Sequence, residues 1–209
     1  MSPAPHSVPL LARTTALFMA GLLLVAPPAR QGGSKAPPAS ASQAVVFFPP
    51  GAIDGYDFFS QVLSQFNEPS LLAAAQDSSA LSYRFESMAG QKWQFLAVRV
   101  SISSDGSARV FAVELSGTPP ILHRTEHSAS AAEVKKFLQL VDKGDFWSMR
   151  AIESGKGYYR DADVWVFEGV RNGTYHVVAR AGVQSKPFVD MVLFLARELA
   201  KLDESDVPH

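Results

Sequence analysis

Three runs of aromatic and β-branched residues between positions 81 and 116 constrain the fold of this chain most. They read LSYRFESM, KWQFLAVRVSI and SARVFAVELS, and the short stretches AGQ and SSDG separate them. Residues of these types favour strands, and connections this short favour antiparallel neighbours. The sequence therefore predicts a three-stranded antiparallel meander in the middle of the chain.

Four stretches with helical spacing of apolar residues lie on the two sides of this meander. They comprise residues 56–66, 68–76, 128–146 and 185–199. Ser130 with Glu133 forms a capping-box pattern in the third stretch, and Ser185 with Pro187 marks the start of the last. Two further strands precede the last helix. The order predicts a single α+β domain with a mainly antiparallel sheet of about five strands and helices packed mostly on one face.

The two further strands form a predicted hairpin, VWVFEGVRNGTYHVVAR, whose turn permits two registers. A two-residue loop of Asn172 and Gly173 places Glu168 opposite Val177. A three-residue loop with a bulge at Gly173 places Glu168 opposite His176 instead. We expect the second register, because it separates polar from apolar side chains. Its apolar face would carry Trp165, Phe167, Tyr175, Val177 and Ala179.

This register makes Glu168, His176 and Arg180 the candidate binding residues, on the polar side of the hairpin. A carboxylate beside a histidine raises the histidine pKa toward physiological pH, and such a site could bind an anionic or hydrogen-bonding partner. The alternative is a cross-strand charge pair that only stabilises the hairpin. The residues alone leave both interpretations open.

A second candidate is the stretch HRTEH at 123–127, which matches the H-x-x-E-H pattern of one class of zinc proteases. That chemistry needs two histidines on one helical turn and a glutamate as general base. Prolines come just before the motif and serines just after it, so we expect a strand end or a loop that leads to a helix cap. A hydrolase, most concretely a zinc-dependent one, is therefore the alternative hypothesis. No metal or other cofactor is predicted.

The first 26 residues are typical of an export signal. Arg13 is followed by an uncharged apolar run of 13 residues, TTALFMAGLLLVA. This length suits a signal peptide and is short of the ~20 residues needed to span a bilayer. Residues 27–43 are rich in proline, alanine and serine and predict a linker, so the domain is expected at 44–209. If the leader is not cleaved, residues 10–25 would anchor the domain to a membrane.

Composition restricts the function further. The 209 residues carry a net charge of −1 without a basic run, which argues against a nucleic-acid partner. The chain has no cysteine, which excludes disulfides, cysteine-bound metals and a lipid-modified cysteine. We expect an exported, non-enzymatic binding or accessory domain, periplasmic, secreted or tethered, whose partner is an unknown protein or small molecule. A membrane-anchored assembly component is a further alternative.

The last part of the chain carries a resemblance. Phe146–Trp147, the hairpin pattern W-x-x-E-G-x-x-x-G-x-Y-H-V-V-x-R from Trp165 to Arg180, and an apolar closing helix follow one another. This arrangement resembles a group of exported bacterial proteins without a characterised role, over the last third of the domain. The resemblance implies an α+β domain with a leader, and it implies no catalytic residue.

Overall fold

The computed structural model describes residues 45–53, 58–89, 94–117, 119–152, 163–182, 185–203 and 207. Six strands form one antiparallel sheet in the order β4-β3-β2-β1-β5-β6. They are β1 (Leu81–Ala89), β2 (Gln94–Ile102), β3 (Ala108–Ser116), β4 (Ile121–Ala129), β5 (Val164–Arg171) and β6 (Thr174–Ala181). The α+β class is confirmed, with one strand more than expected because the segment containing HRTEH forms β4. The predicted leader and linker lie outside the described residues.

The helices follow the predicted stretches with shorter ends. They are α1 (Phe58–Gln65), α2 (Leu71–Ala74), α3 (Ala131–Lys143) and α4 (Lys186–Leu193), which continues as a π-helical turn over Phe194–Leu199. The capping box of α3 is confirmed. The Ser130 amide donates to Glu133 Oε2 over 2.9 Å, and the Glu133 amide donates to Ser130 Oγ over 3.3 Å. Helix α3 buries Val134, Phe137 and Val141, the stripe that its apolar spacing predicts.

Helices cover both faces of the sheet. Helix α3 and helix α4 with its π-helical continuation pack on one face, which we call the α3 face. Its core includes Tyr83, Phe85, Phe137, Phe146, Trp165, Phe167, Phe188 and Met191. Helix α1 and residues 45–53 pack on the other face, which we call the α1 face. Its core includes Phe47, Phe59, Leu63, Phe95, Val166 and Val177. Strand β5 is consequently buried on both sides for almost its whole length.

The expected register of the β5–β6 hairpin is wrong. Glu168 lies opposite Val177, and Gly169 lies opposite His176. Asn172 and Gly173 both have positive φ angles, 54° and 75°, which is the two-residue turn whose twist suits a hairpin. Trp165 and Phe167 therefore face α3, whereas Tyr175, Val177 and Ala179 face α1.

The polarity argument fails for a physical reason. It assumes that one face of the hairpin meets water, but both faces of β5 are covered, so this strand has no solvent side on which to collect polar groups. The short turn then decides the register. A second constraint acts at Gly169, where a Cβ atom would lie 2.7 Å from the ring of Tyr83 on the neighbouring strand. Glycine at this position lets the tyrosine ring pack against the β5 backbone.

Candidate functional site

The three predicted binding residues do not form one site. Residues directly opposite one another in an antiparallel pair point to the same face, so the observed register places Glu168 on the α1 face. His176 and Arg180 pair with Gly169 and Trp165 and lie on the α3 face. The sheet itself therefore separates the carboxylate from both basic side chains.

Glu168 belongs to a buried ion cluster on the α1 face, at the centre of the sheet. Strand β1 places Arg84 directly opposite Glu168, and both side chains are completely buried. The Arg84 guanidinium donates to Glu168 Oε1 from Nε over 2.7 Å and also from Nη2. The hydroxyl of Tyr175 donates to Glu168 Oε2 over 2.7 Å. Both carboxylate oxygens of Glu168 thus accept hydrogen bonds.

Glu86 is the second buried carboxyl of this cluster. It lies two residues from Arg84 on the same face of β1, and it accepts a hydrogen bond from Arg84 Nε on Oε1 over 2.7 Å. Its Oε2 atom is buried without a hydrogen-bond partner. Burial raises the pKa of Glu86 well above its usual range, the nearby charge of Glu168 adds to this, and Arg84 opposes it.

The outer part of the cluster connects the sheet to the chain before β1. Arg84 Nη1 donates to the carbonyl of Pro69 over 2.8 Å, and the guanidinium lies 5.7 Å from the centre of the Phe47 ring. Glu68 accepts from Arg99 Nε over 2.8 Å and lies 3.5 Å from Arg84 Nη1. Two arginines thus meet three glutamates. Within this cluster Glu86 is the carboxyl whose burial and unpartnered Oε2 favour the protonated form.

This buried ion cluster connects elements of the fold, and its centre is closed to solvent. The side chains of Arg84, Glu86 and Glu168 have no solvent exposure. Buried polar groups that satisfy one another specify which elements pair, and a buried charge that loses its partner is costly. The cluster joins β1 and β5 to the chain that leads into α2. A binding site is therefore expected at the surface of the domain.

His176 has surroundings opposite to those expected. Its ring packs edge-on against Phe146, with centroids 4.9 Å apart, and lies near Trp147 on the α3 face. Burial lowers the pKa of His176, hydrogen bonding of the ring to the backbone carbonyls of Met149 and Phe146 opposes this, and the positive charge of Arg180 adds to the lowering. The expectation that Glu168 raises this pKa is wrong, because the two side chains lie on opposite faces of the sheet.

Arg180 holds a segment of chain against the outer edge of β6. Its Nη1 donates to the carbonyl of Ala151 over 3.2 Å, and its Nη2 donates to the carbonyl of Arg150 over 2.9 Å. The amide of Ala179 donates to the same Ala151 carbonyl over 2.7 Å, and Ile152 forms a parallel bridge with Ala179. Residues 150–152 therefore cover part of the β6 edge of the sheet.

The HRTEH stretch lies in a strand and does not form the helical turn that its zinc-protease pattern requires. His123 and His127 lie on the α3 face of β4, whereas Glu126 lies on the α1 face opposite Phe111. Over the described part of the chain, no group of three or more histidine, aspartate or glutamate side chains is arranged to hold a metal ion. The motif lies within a full edge strand, where we expected a strand end or a loop.

Strand β4 is the open edge of the sheet, and it is the candidate binding site. It pairs with β3 without interruption from Ser116–Ile121 to Ala108–Ala129, so its outer side has the regular geometry of a strand. Its first six side chains are exposed, and these point alternately to the two faces of the sheet. An edge strand leaves the N–H and C=O groups of alternate residues unpaired. Neither helical layer therefore covers the edge where a further strand could bind.

Side chains of two kinds mark this open edge. The apolar side chains of Ile121 and Leu122 are 55% and 44% exposed. Arg124 and Glu126 bring opposite charges two positions apart on the α1 face. Proteins commonly blunt an exposed edge with charged side chains, proline or a bulge. Strand β4 has neither proline nor a bulge, and its charged side chains carry both signs.

Comparisons with known proteins do not assign the site. No protein-family model matches the sequence, and no curated protein matches it. Among the helices that the structure describes, none combines the length and the apolar character needed to cross a membrane. The function is therefore inferred from the geometry of the edge strand.

Proposed function

We propose that this chain is an exported, non-enzymatic binding domain that recognises a protein partner through the open edge of β4. The observation that carries the proposal is the contrast between the two edges of the sheet. Residues 150–152 cover part of β6, whereas β4 is regular, nine residues long and exposed. A strand of this length offers an extended partner a pairing edge of about 30 Å.

Strand addition suits this edge better than a pocket does. Main-chain hydrogen bonds to an exposed edge supply affinity, and alternate side chains supply specificity. Ile121 and Leu122 offer apolar contacts at one end, and Arg124 with Glu126 offers charged contacts in the middle. The buried ion cluster supports the same proposal indirectly, because its carboxylates are closed to solvent and tie the sheet together behind the edge.

The sequence supports the export part of the proposal. A charged flank, an apolar run of signal-peptide length and a linker precede the domain. The domain would act in the periplasm, outside the cell, or at a membrane that its leader anchors. Sequencing the amino terminus of the mature protein separates these cases. An intact Met1 in the membrane fraction would favour an anchored assembly component over a free domain.

Site-specific photocrosslinking in the native cells tests the binding edge. Thr125 in β4 and Thr174 in β6 are both exposed threonines on edge strands, so they form a matched pair of positions for a photoreactive residue. We expect a discrete crosslinked protein from position 125 and none from position 174. The absence of any product from position 125, or the same products from both positions, would contradict the proposal.

A further inference from the structure

We infer that the partner of the β4 edge is a second copy of this chain, bound antiparallel across a twofold axis at Thr125. This inference rests on the proposed function, because it names the partner of the same edge. Two β4 strands would join two six-stranded sheets into one sheet of about twelve strands. The axis stands perpendicular to the sheet, so the α3 faces of both copies lie on the same side.

The charges of β4 select this register. In antiparallel pairing about Thr125, Arg124 of each copy lies opposite Glu126 of the other, and both pairs lie on the α1 face. Opposite charges placed directly across a strand pair are favourable, and like charges there are unfavourable. The twofold axis generates two such Arg124–Glu126 pairs in each dimer.

In the two neighbouring registers, like charges would lie opposite one another. Along each β4 strand, the backbone N–H and C=O groups of every second residue point toward the new partner. These residues must lie opposite one another in the two copies, so the register can shift only in steps that keep them opposite. One such step places Arg124 opposite its own copy, and the other places Glu126 opposite its own copy. The sequence of β4 thus favours one antiparallel register over both of its neighbours.

The remaining pairs in this register are compatible with it. His123 lies opposite His127, and Leu122 lies opposite Ser128. Exposed Ile121 lies opposite Ala129, a small and buried residue at the start of the capping segment of α3. Arg124 and Glu126 already have partners within one copy, but these contacts leave both side chains accessible to a second copy. Glu126 accepts from Arg109, and the two side chains are 47% and 66% exposed. Arg124 donates to the Phe66 carbonyl.

The absence of cysteine from the sequence makes a sharp test possible. Residues opposite one another in an antiparallel pair have Cα atoms about 4.5–5.5 Å apart, within the range that a disulfide spans. In the purified full-length chain under mild oxidation, we expect Thr125→Cys to form a disulfide-linked dimer. Leu122→Cys and Ser128→Cys should each form no disulfide-linked dimer alone, because the two identical cysteines of a dimer would lie about 20 Å apart. Together in one chain they should link.

Charge reversal tests the cause of the register. In the Thr125→Cys background, Arg124→Glu should slow dimer formation by about tenfold, since it replaces two attractive pairs with two repulsive ones. Adding Glu126→Arg exchanges the two charges and should restore the rate. A variant that merely disturbed the fold would not recover in this way.

The outcomes separate this inference from the proposed function. Linkage of Ser128→Cys as fast as that of Thr125→Cys, or failure of the exchanged pair to recover, overturns the self-pairing. A photocrosslink from position 125 to a different protein also overturns it but upholds the binding edge. The absence of any crosslink from position 125 contradicts both.

Discussion

The carboxyl of Glu86 offers the sharpest test of the buried ion cluster. We predict that Glu86→Gln makes the protein more stable at neutral pH, although it replaces a carboxyl that accepts a hydrogen bond from Arg84. Burial beside Glu168 raises the pKa of Glu86 and so favours its protonated form in the native state, and its Oε2 has no hydrogen-bond partner. The unfolded chain releases that proton near the ordinary glutamate pKa of about 4.3.

The sign of the pH dependence follows from this difference. Above the unfolded pKa and below the raised native pKa, the native state binds one proton that the unfolded state has lost, so stability falls as the pH rises. The variant has no such group. Its advantage over the natural protein should grow as the pH rises above about 4.5, by at most about 1.4 kcal/mol for each pH unit while the native carboxyl stays protonated. Below about pH 4 the difference should be constant.

Urea unfolding of both proteins at several pH values, at one protein concentration, measures this advantage. Glu133→Gln is the matched control. The amide and hydroxyl of Ser130 lower the pKa of Glu133 to about 2, so its contribution to stability exists at neutral pH and is lost as the pH falls toward 2. The two variants should therefore differ from the natural protein with opposite pH slopes. A pH-independent difference for Glu86→Gln would refute the protonated carboxyl.

Three further predictions follow from the described contacts. Arg84→Met should lower the free energy of unfolding by about 3–5 kcal/mol in urea, because it leaves two buried carboxyls without their cation; a change under 1 kcal/mol would contradict the cluster. Gly169→Ala should cost about 1–3 kcal/mol in the same assay, since the new Cβ would lie 2.7 Å from the Tyr83 ring; an unchanged stability would show that the ring moves freely. By NMR, the pKa of His176 should lie below 6.5, and Glu168→Gln should leave it unchanged; a changed pKa would indicate that the two side chains lie on the same face of the sheet.

The elements of this fold follow from local sequence signals. The meander from β1 to β3 follows from aromatic and β-branched runs, and the start of α3 follows from the spacing of Ser130 and Glu133. These signals act over a few residues, so the surrounding structure does not change them. The α+β class then follows from the order of the elements.

The register of the hairpin and the buried ion cluster depend on contacts that are distant in sequence. Arg84 and Glu86 alternate with Tyr83 and Phe85, a pattern typical of a strand with one side in water. Helix α1 and residues 45–53 cover that side instead. Glu168, which lies opposite Arg84, is 84 positions away in the sequence. The alternation of charges within a strand of high aromatic content is the one signal that could have identified the cluster.

Strand β4 was harder to predict because its composition is polar. A central strand is recognised by its buried residues, but an edge strand exposed on both faces needs few of them. His123, Arg124 and Glu126 therefore resemble a loop or a metal motif in the sequence. Their place in a strand depends on the regular pairing with β3.

Amide hydrogen exchange tests most directly whether β4 pairs through its backbone with a second copy. The full-length chain is compared at low and high protein concentration, and exchange is followed by mass spectrometry in peptides from β4 and β6. We predict that exchange in Ile121–Ala129 slows as the concentration rises, whereas exchange in Thr174–Ala181 does not change. Exchange in β4 that is independent of concentration would contradict the pairing.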